Sequence, residues 1–141
     1  MTYAELHCLS SFTFLRGASR PEELAARAAE LDYAARAITD ECSMAGIVRA
    51  HVAAKDAGLK LIAGSELRLE DGLRLVLLAC NRAGYGRLCA LITRGRRAAE
   101  KGSYRLGRAD LESGLEDCLA LWLPEPEADE AAARWLARRF P

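Results

Sequence analysis

Three carboxylates and a histidine stand where they could hold a cation. Thr39-Asp40-Glu41 closes a short apolar run, Ala34 to Ile38, and Gly64-Ser65-Glu66 closes a second, Leu59 to Ala63. A helical segment that stops at Gly58 lies between them. The order is strand, helix, strand, with a carboxylate just past the end of each strand. In parallel α/β folds those ends are where chemistry is placed. His7 lies in an earlier apolar run, Glu5 to Leu9. His7, Asp40, Glu41 and Glu66 could together hold a metal with waters.

Each of these residues also has a plainer role. Asp at a strand end caps the next helix well, and Glu66 carries the same ambiguity. Alternate strand residues face one side, so a histidine pair would need a second imidazole at position 9, which is Leu9. A lone histidine is more often packed or hydrogen-bonded than metal-bound. His51 stands mid-helix among alanines and reads as structural. Cys8 and Cys42 neighbour the candidate positions, but the five cysteines are widely spaced with no C-x-x-C. They read as small buried hydrophobes in a reducing cytosol. No Gly-rich phosphate loop, no G-x-S-x-G elbow and no aromatic platform for bases is present.

The elements that must position these residues follow from periodicity and punctuation. Glu5 to Leu9 suits a first strand. Ser10 to Ala18 is a loop, and Ser19 with Glu22 forms a capping box for a helix from Pro21 to Asp32. Its apolar face is Leu24, Ala28 and Leu31. Ala34 to Ile38 is a strand. Cys42 or Ser43 opens a second helix whose face is Met44, Ile47, Val48, His51 and Ala54, with Gly58 as its stop. Leu59 to Ala63 is the third strand, and Asp71-Gly72 signals a hairpin into Leu73 to Cys80. Asn81 caps a helix from Ala83 to Ala99, packed through Leu88, Leu91 and Ile92. Arg108 to Glu112 is a brief helix, Cys118 to Leu123 a strand, and Ala128 to Arg139 a last helix carrying Ala132, Trp135 and Leu136.

This alternation is a barrel or doubly wound sheet. The chain stops after a helix, where the pattern calls for another strand, so the sheet reads as unfinished and the isolated chain as aggregation-prone. The 141 residues are half hydrophobic, enough for a core. Twenty basic residues balance twenty acidic ones, which argues against a free-standing basic DNA-binding module. The cations cluster late, at Arg94, Arg96, Arg97, Lys101, Arg105 and Arg108, as a solvated helix end or a contact surface. No signal peptide or membrane-length apolar run is found.

Three stretches, LHCLSSFTFLRGAS at 6–19, AITDECSMAGIVRAHVAAKDAGLKLIAGSEL at 37–67 and NRAGYGRLCALIT at 81–93, resemble one family. They are similar to the N-terminal PHP domain of bacterial C-family DNA polymerases, on the error-prone branch. The resemblance implies an incomplete PHP-type distorted β/α barrel over residues 1–141, with polymerase palm, fingers and C-terminal domains absent. It implies a metal cleft at the strand ends, where His7, Asp40 and Glu66 match ligand positions. Leu9 and Glu41 stand where the pattern has histidines. The resemblance therefore implies a scaffold with a degraded metal site that would prefer oxygen-loving cations over zinc. For the parent it implies a nucleotidyltransferase in translesion synthesis and DNA repair, with magnesium at the palm. DNA, a sliding clamp and translesion accessory proteins are the implied partners, in the cytoplasm and away from membranes. The competing readings are a small PHP-type phosphoesterase and a non-catalytic docking module.

Overall fold

The structure, a computed structural model, describes residues 3–127 and 129–140. It divides into two compact units, residues 1–65 and 66–141. Among the described residues the elements follow the expected order, as a mixed α/β chain.

The first unit holds β1 (Ala4–Glu5), α1 (Pro21–Glu30), β2 (Ala35–Ile38), α2 (Ile47–Asp56) and the start of β3 (Lys60–Arg68). Its strands are parallel, with Ala4 opposite Ala35, and Ala35 to Ile38 opposite Lys60 to Ala63. β1 is shorter than the Glu5–Leu9 expectation. The His7 amide turns to the Glu5 carboxylate at 3.2 Å instead of to a ladder partner. Pairing with the second strand resumes at Cys8. Its carbonyl accepts the Thr39 amide at 2.8 Å, and its amide donates to the Thr39 hydroxyl at 2.9 Å.

α1 starts at Pro21 as expected but ends at Glu30 rather than Asp32 and has a different cap, while α2 starts later than expected. Ser19 does not cap α1; its carbonyl accepts the Ser11 amide at 2.8 Å in the preceding loop. Arg20 takes the N-cap place, and its amide donates to Glu23 at 2.8 Å, so Glu23 and not Glu22 closes the box. α2 begins at Ile47 rather than at Cys42 or Ser43. Cys42 is held at φ 43°, and the Ser43 hydroxyl accepts the Ala45 amide at 3.2 Å, which builds a local turn in place of a cap. The buried faces also differ. α1 packs through Pro21, Ala25 and Ala28 while Leu31 stays 46% exposed. α2 packs through Ile47, Ala50 and Ala54, leaving Val48 and His51 exposed. Ala25, Ala28, Ala54 and Leu59 form the layer where the two helices meet. Alanine faces bring helix backbones close, and that proximity excludes the larger side chains.

The second unit holds the end of β3, then β4 (Arg74–Ala79), α3 (Arg82–Arg97), a 3₁₀ turn (Arg108–Leu111), β5 (Cys118–Trp122) and α4 (Glu130–Arg139). The Asp71-Gly72 hairpin forms as expected, with Gly72 at φ 88° and the Leu69 amide donating to the Leu73 carbonyl at 2.8 Å. β4 and β5 are antiparallel, from Leu75 opposite Trp122 to Ala79 opposite Cys118. Asn81 caps α3, its side chain accepting the Gly84 amide at 3.0 Å. The core here is leucine-rich: Leu67, Leu75, Leu77, Leu88, Leu91, Leu106, Leu111 and Leu115 are buried. α4 is capped by Asp129, and its expected first residue, Ala128, lies outside the described residues.

Candidate functional site

Asp40 lies two residues past the end of β2, as the sequence suggests, and is 1% exposed. Its carboxylate is used on both oxygens. Oδ1 accepts the Ser10 amide at 2.7 Å and the Thr13 hydroxyl at 2.7 Å. Oδ2 accepts the Ser10 hydroxyl at 2.6 Å. Charge-assisted bonds of this length are the strong class, and burial makes each one count. The Asp40 carbonyl accepts the Ser65 hydroxyl at 2.7 Å, and that same hydroxyl accepts the Ser43 amide at 3.2 Å. Asp40 thus fixes two loops, one through its side chain and one through its backbone.

The first of these loops is tightly built. The Thr13 hydroxyl donates to Asp40 and accepts the Glu41 amide at 3.0 Å. The Ser10 hydroxyl accepts the Phe12 amide at 3.2 Å. The Gly17 amide donates to the Thr13 carbonyl at 2.9 Å, and a Cβ on Gly17 would fall 1.9 Å from the Ser10 carbonyl oxygen. Glu41 reaches back to the same loop through an ion pair with Arg16 at 2.7 Å. The tip projects Phe14 and Leu15, 84% and 89% exposed.

His7 is half-buried in the segment after β1. Cys8 beside it has its thiol pushed up by burial, against the pull of the Arg36 guanidinium, whose Nη2 lies 2.7 Å from Sγ.

Glu66 belongs to the second unit and corrects one expectation. It does not follow a strand end; it lies inside β3, which runs unbroken through Gly64-Ser65-Glu66 to Arg68. It is 1% exposed and accepts from Arg74 Nη2 of β4 at 3.1 Å. A buried carboxylate needs a compensating donor or charge, and the neighbouring strand supplies it.

The late cluster of cations is largely engaged within the second unit. Arg108 pairs with Asp71 at 2.6 Å and lies over the Trp135 ring. Arg94 approaches Asp110 at 3.6 Å and Arg105 approaches Glu70 at 3.8 Å. Arg96 lies over Tyr104 and donates to the Ser103 carbonyl at 3.3 Å.

The family model described as PHP domain matches residues 5–133. The chain belongs to the PHP domain family. Its PHP sequence is 64% identical over 140 residues to the error-prone DNA polymerase of Methylococcus capsulatus, and 64% identical over 144 residues to that of Dechloromonas aromatica. Both alignments take in 99% of this chain but only 13% and 14% of those proteins. Among solved structures, a metal-dependent phosphoesterase from Bifidobacterium adolescentis matches with TM-score 0.57 at 22% identity, over 69% of this chain and 34% of its own. An amidohydrolase from Chromobacterium violaceum, solved with bound sulfate and no metal, matches with TM-score 0.58 at 27% identity over the same shares. These two likenesses are of fold.

PHP domains are typically metal-dependent, but the donor set of this one does not fit an ion. Among the described residues no three or more His, Cys, Asp or Glu side chains come together as a metal site. Asp40 already has donors on both oxygens, and Glu41 and Glu66 each face an arginine. The residues that decide this, Ser10, Thr13, Arg16 and Arg74, were not legible as site residues. The one hint was a Ser and a Thr three apart in the loop that follows His7.

Proposed function

We propose that this chain is the PHP portion of an error-prone DNA polymerase, and that it serves there as a scaffold. The observation that carries the reading is near-complete coverage of this chain at 64% identity against a small share of each relative. The nucleotidyl transfer belongs to polymerase segments that this chain does not include. DNA reaches the protein through that larger polypeptide, in the cytoplasm, together with a sliding clamp and translesion accessory proteins. Magnesium would act at the polymerase palm. His7, Asp40, Glu41 and Glu66 occupy the ligand positions of the family, and the three carboxylates serve as anchors here.

The test is primer extension by the intact polypeptide that carries this segment, on undamaged and lesion-bearing templates. Extension past the lesion is the expected result. A coding sequence that continues into no polymerase segment would overturn the proposal. The phosphoesterase reading draws on the fold of its structural neighbours. It predicts hydrolysis of a model phosphodiester with added Mn²⁺ or Zn²⁺ that disappears in Asp40→Ala. Our reading predicts no hydrolysis.

A further inference from the structure

We infer that this PHP domain has taken the cation into its own chain. The hydroxyls of Ser10 and Thr13 and the guanidinium groups of Arg16 and Arg74 do, carboxylate by carboxylate, what a bound divalent ion would do. The inference concerns only the PHP domain and stands whether or not a polymerase follows it.

A carboxylate offers about four lone-pair positions, and Asp40 spends three of them on donors within 2.7 Å. A divalent ion needs a bare oxygen at roughly 2.0–2.6 Å. Gly46 lies close beside Oδ2, where a Cβ would fall 3.0 Å from that oxygen and 2.9 Å from Pro21 Cγ. Admitting an ion means swinging out Ser10 or Thr13. Their hydroxyl oxygens also accept the Phe12 and Glu41 amides, at 3.2 and 3.0 Å. Those amides would lose their acceptors, and the loop would come apart.

Glu41 and Glu66 are answered by full charges. Arg16 meets Glu41 at 2.7 Å within the first unit. Arg74 meets Glu66 at 3.1 Å within the second and also approaches Glu125 at 3.5 Å. A guanidinium beside a ligand carboxylate repels a divalent cation at the same oxygen, so arginine and ion are alternatives. The two pairs are not alike. Arg16 and Glu41 are 38% and 28% exposed, and solvent weakens their pair, whereas Glu66 is 1% exposed and its pair with Arg74 is the less screened of the two. Arg74 is therefore the residue to test.

The experiment uses the 141-residue chain. Metal content after purification is measured by plasma mass spectrometry. Thermal melts are recorded with chelator and with Mn²⁺, Zn²⁺ or Mg²⁺, alongside Arg74→Met and Arg74→Lys. The expected results are no stoichiometric metal and a wild-type melting temperature that moves by less than about 1 °C in any condition. Arg74→Met melts lower, and Arg74→Lys, which keeps the charge, recovers most of the loss. Two results would overturn the inference. One is stoichiometric metal whose removal lowers the melting temperature. The other is an Arg74→Lys variant as unstable as Arg74→Met, which would make the arginine's shape matter rather than its charge. If Arg74→Met does not fold, the wild-type metal content and chelator melt decide alone.

Discussion

Removing the Asp40 carboxylate is the sharpest single perturbation of the first unit. Asp40→Ala deletes the acceptor of three hydrogen bonds, from the Ser10 amide, the Ser10 hydroxyl and the Thr13 hydroxyl. A bond to a charged acceptor contributes about 1.5 kcal/mol at the low end, and orphaning buried donors adds to this. The three share one carboxylate and water can enter the vacated space, so we expect about 4 kcal/mol rather than a full sum. At about 3 °C per kcal/mol for a chain of this size, the melting temperature should fall by roughly 12 °C. Asp40→Asn keeps an oxygen for the Ser10 amide and the Thr13 hydroxyl and places an NH₂ toward the Ser10 hydroxyl. It should cost about 1–2 kcal/mol. Urea denaturation followed by far-UV circular dichroism gives both numbers. Amide exchange at Ser10 should rise in Asp40→Ala, because its partner is gone. If Asp40→Ala unfolds within about 0.5 kcal/mol of wild type, the value of an ordinary surface substitution, the reasoning about Asp40 is wrong.

Three further outcomes are expected. Gly84→Ala places a Cβ 2.1 Å from the Asp117 carbonyl oxygen, so it should destabilise by about 2–3 kcal/mol although alanine is the better helix former by about 1 kcal/mol; a stabilised variant would refute the contact. Burial opposes ionisation of Asp71, but the Arg108 guanidinium and the Leu73 amide outweigh it and hold its carboxyl below the ordinary range. That contribution is present above the ordinary carboxylate pKa and is lost as pH falls through the lowered one. Urea midpoints of Asp71→Asn should therefore show a flatter acid limb, and an unchanged limb would count against the pair. Burial pushes the Cys118 thiol up to about 11, whereas Cys80 is exposed. Iodoacetamide near neutral pH should label Cys80 readily and Cys118 only with unfolding, as peptide mass mapping would show.

Much of the fold could be read directly from residue types. Periodicity and turn chemistry placed every element in order, and Asn81 and Asp71-Gly72 act where their side chains predict. The errors have local causes. Gly64-Ser65 looks like punctuation, yet β3 continues through it to Arg68, which moved Glu66 from a strand end into a strand. Leucine and valine outrank alanine on any hydrophobicity scale, yet Ala25, Ala28 and Ala54 form the helix contact, because close approach and not side-chain size decides it. The partners of Asp40 lie 27 and 30 residues earlier. Nothing in the local pattern around a strand-end aspartate reveals which distant hydroxyls will meet it. Family positions carried no information about what faces the carboxylates.

The contrast between the two cores bears on how each part of the chain tolerates mutation. The alanine layer of α1 and α2 is fully buried, so added methyl groups overpack it, at about 1–3 kcal/mol each. The leucine core of the second unit has the reverse weakness, since trimming Leu77, Leu88 or Leu111 to alanine leaves a hole costing about 2–5 kcal/mol. A saturation scan would record opposite size preferences in the two segments, one intolerant of growth and the other of loss. For a gene drifting under mutation, the same alanine-to-valine change that is harmless on the surface would be filtered out along α1. Leucine-to-alanine changes would be filtered out beyond residue 66.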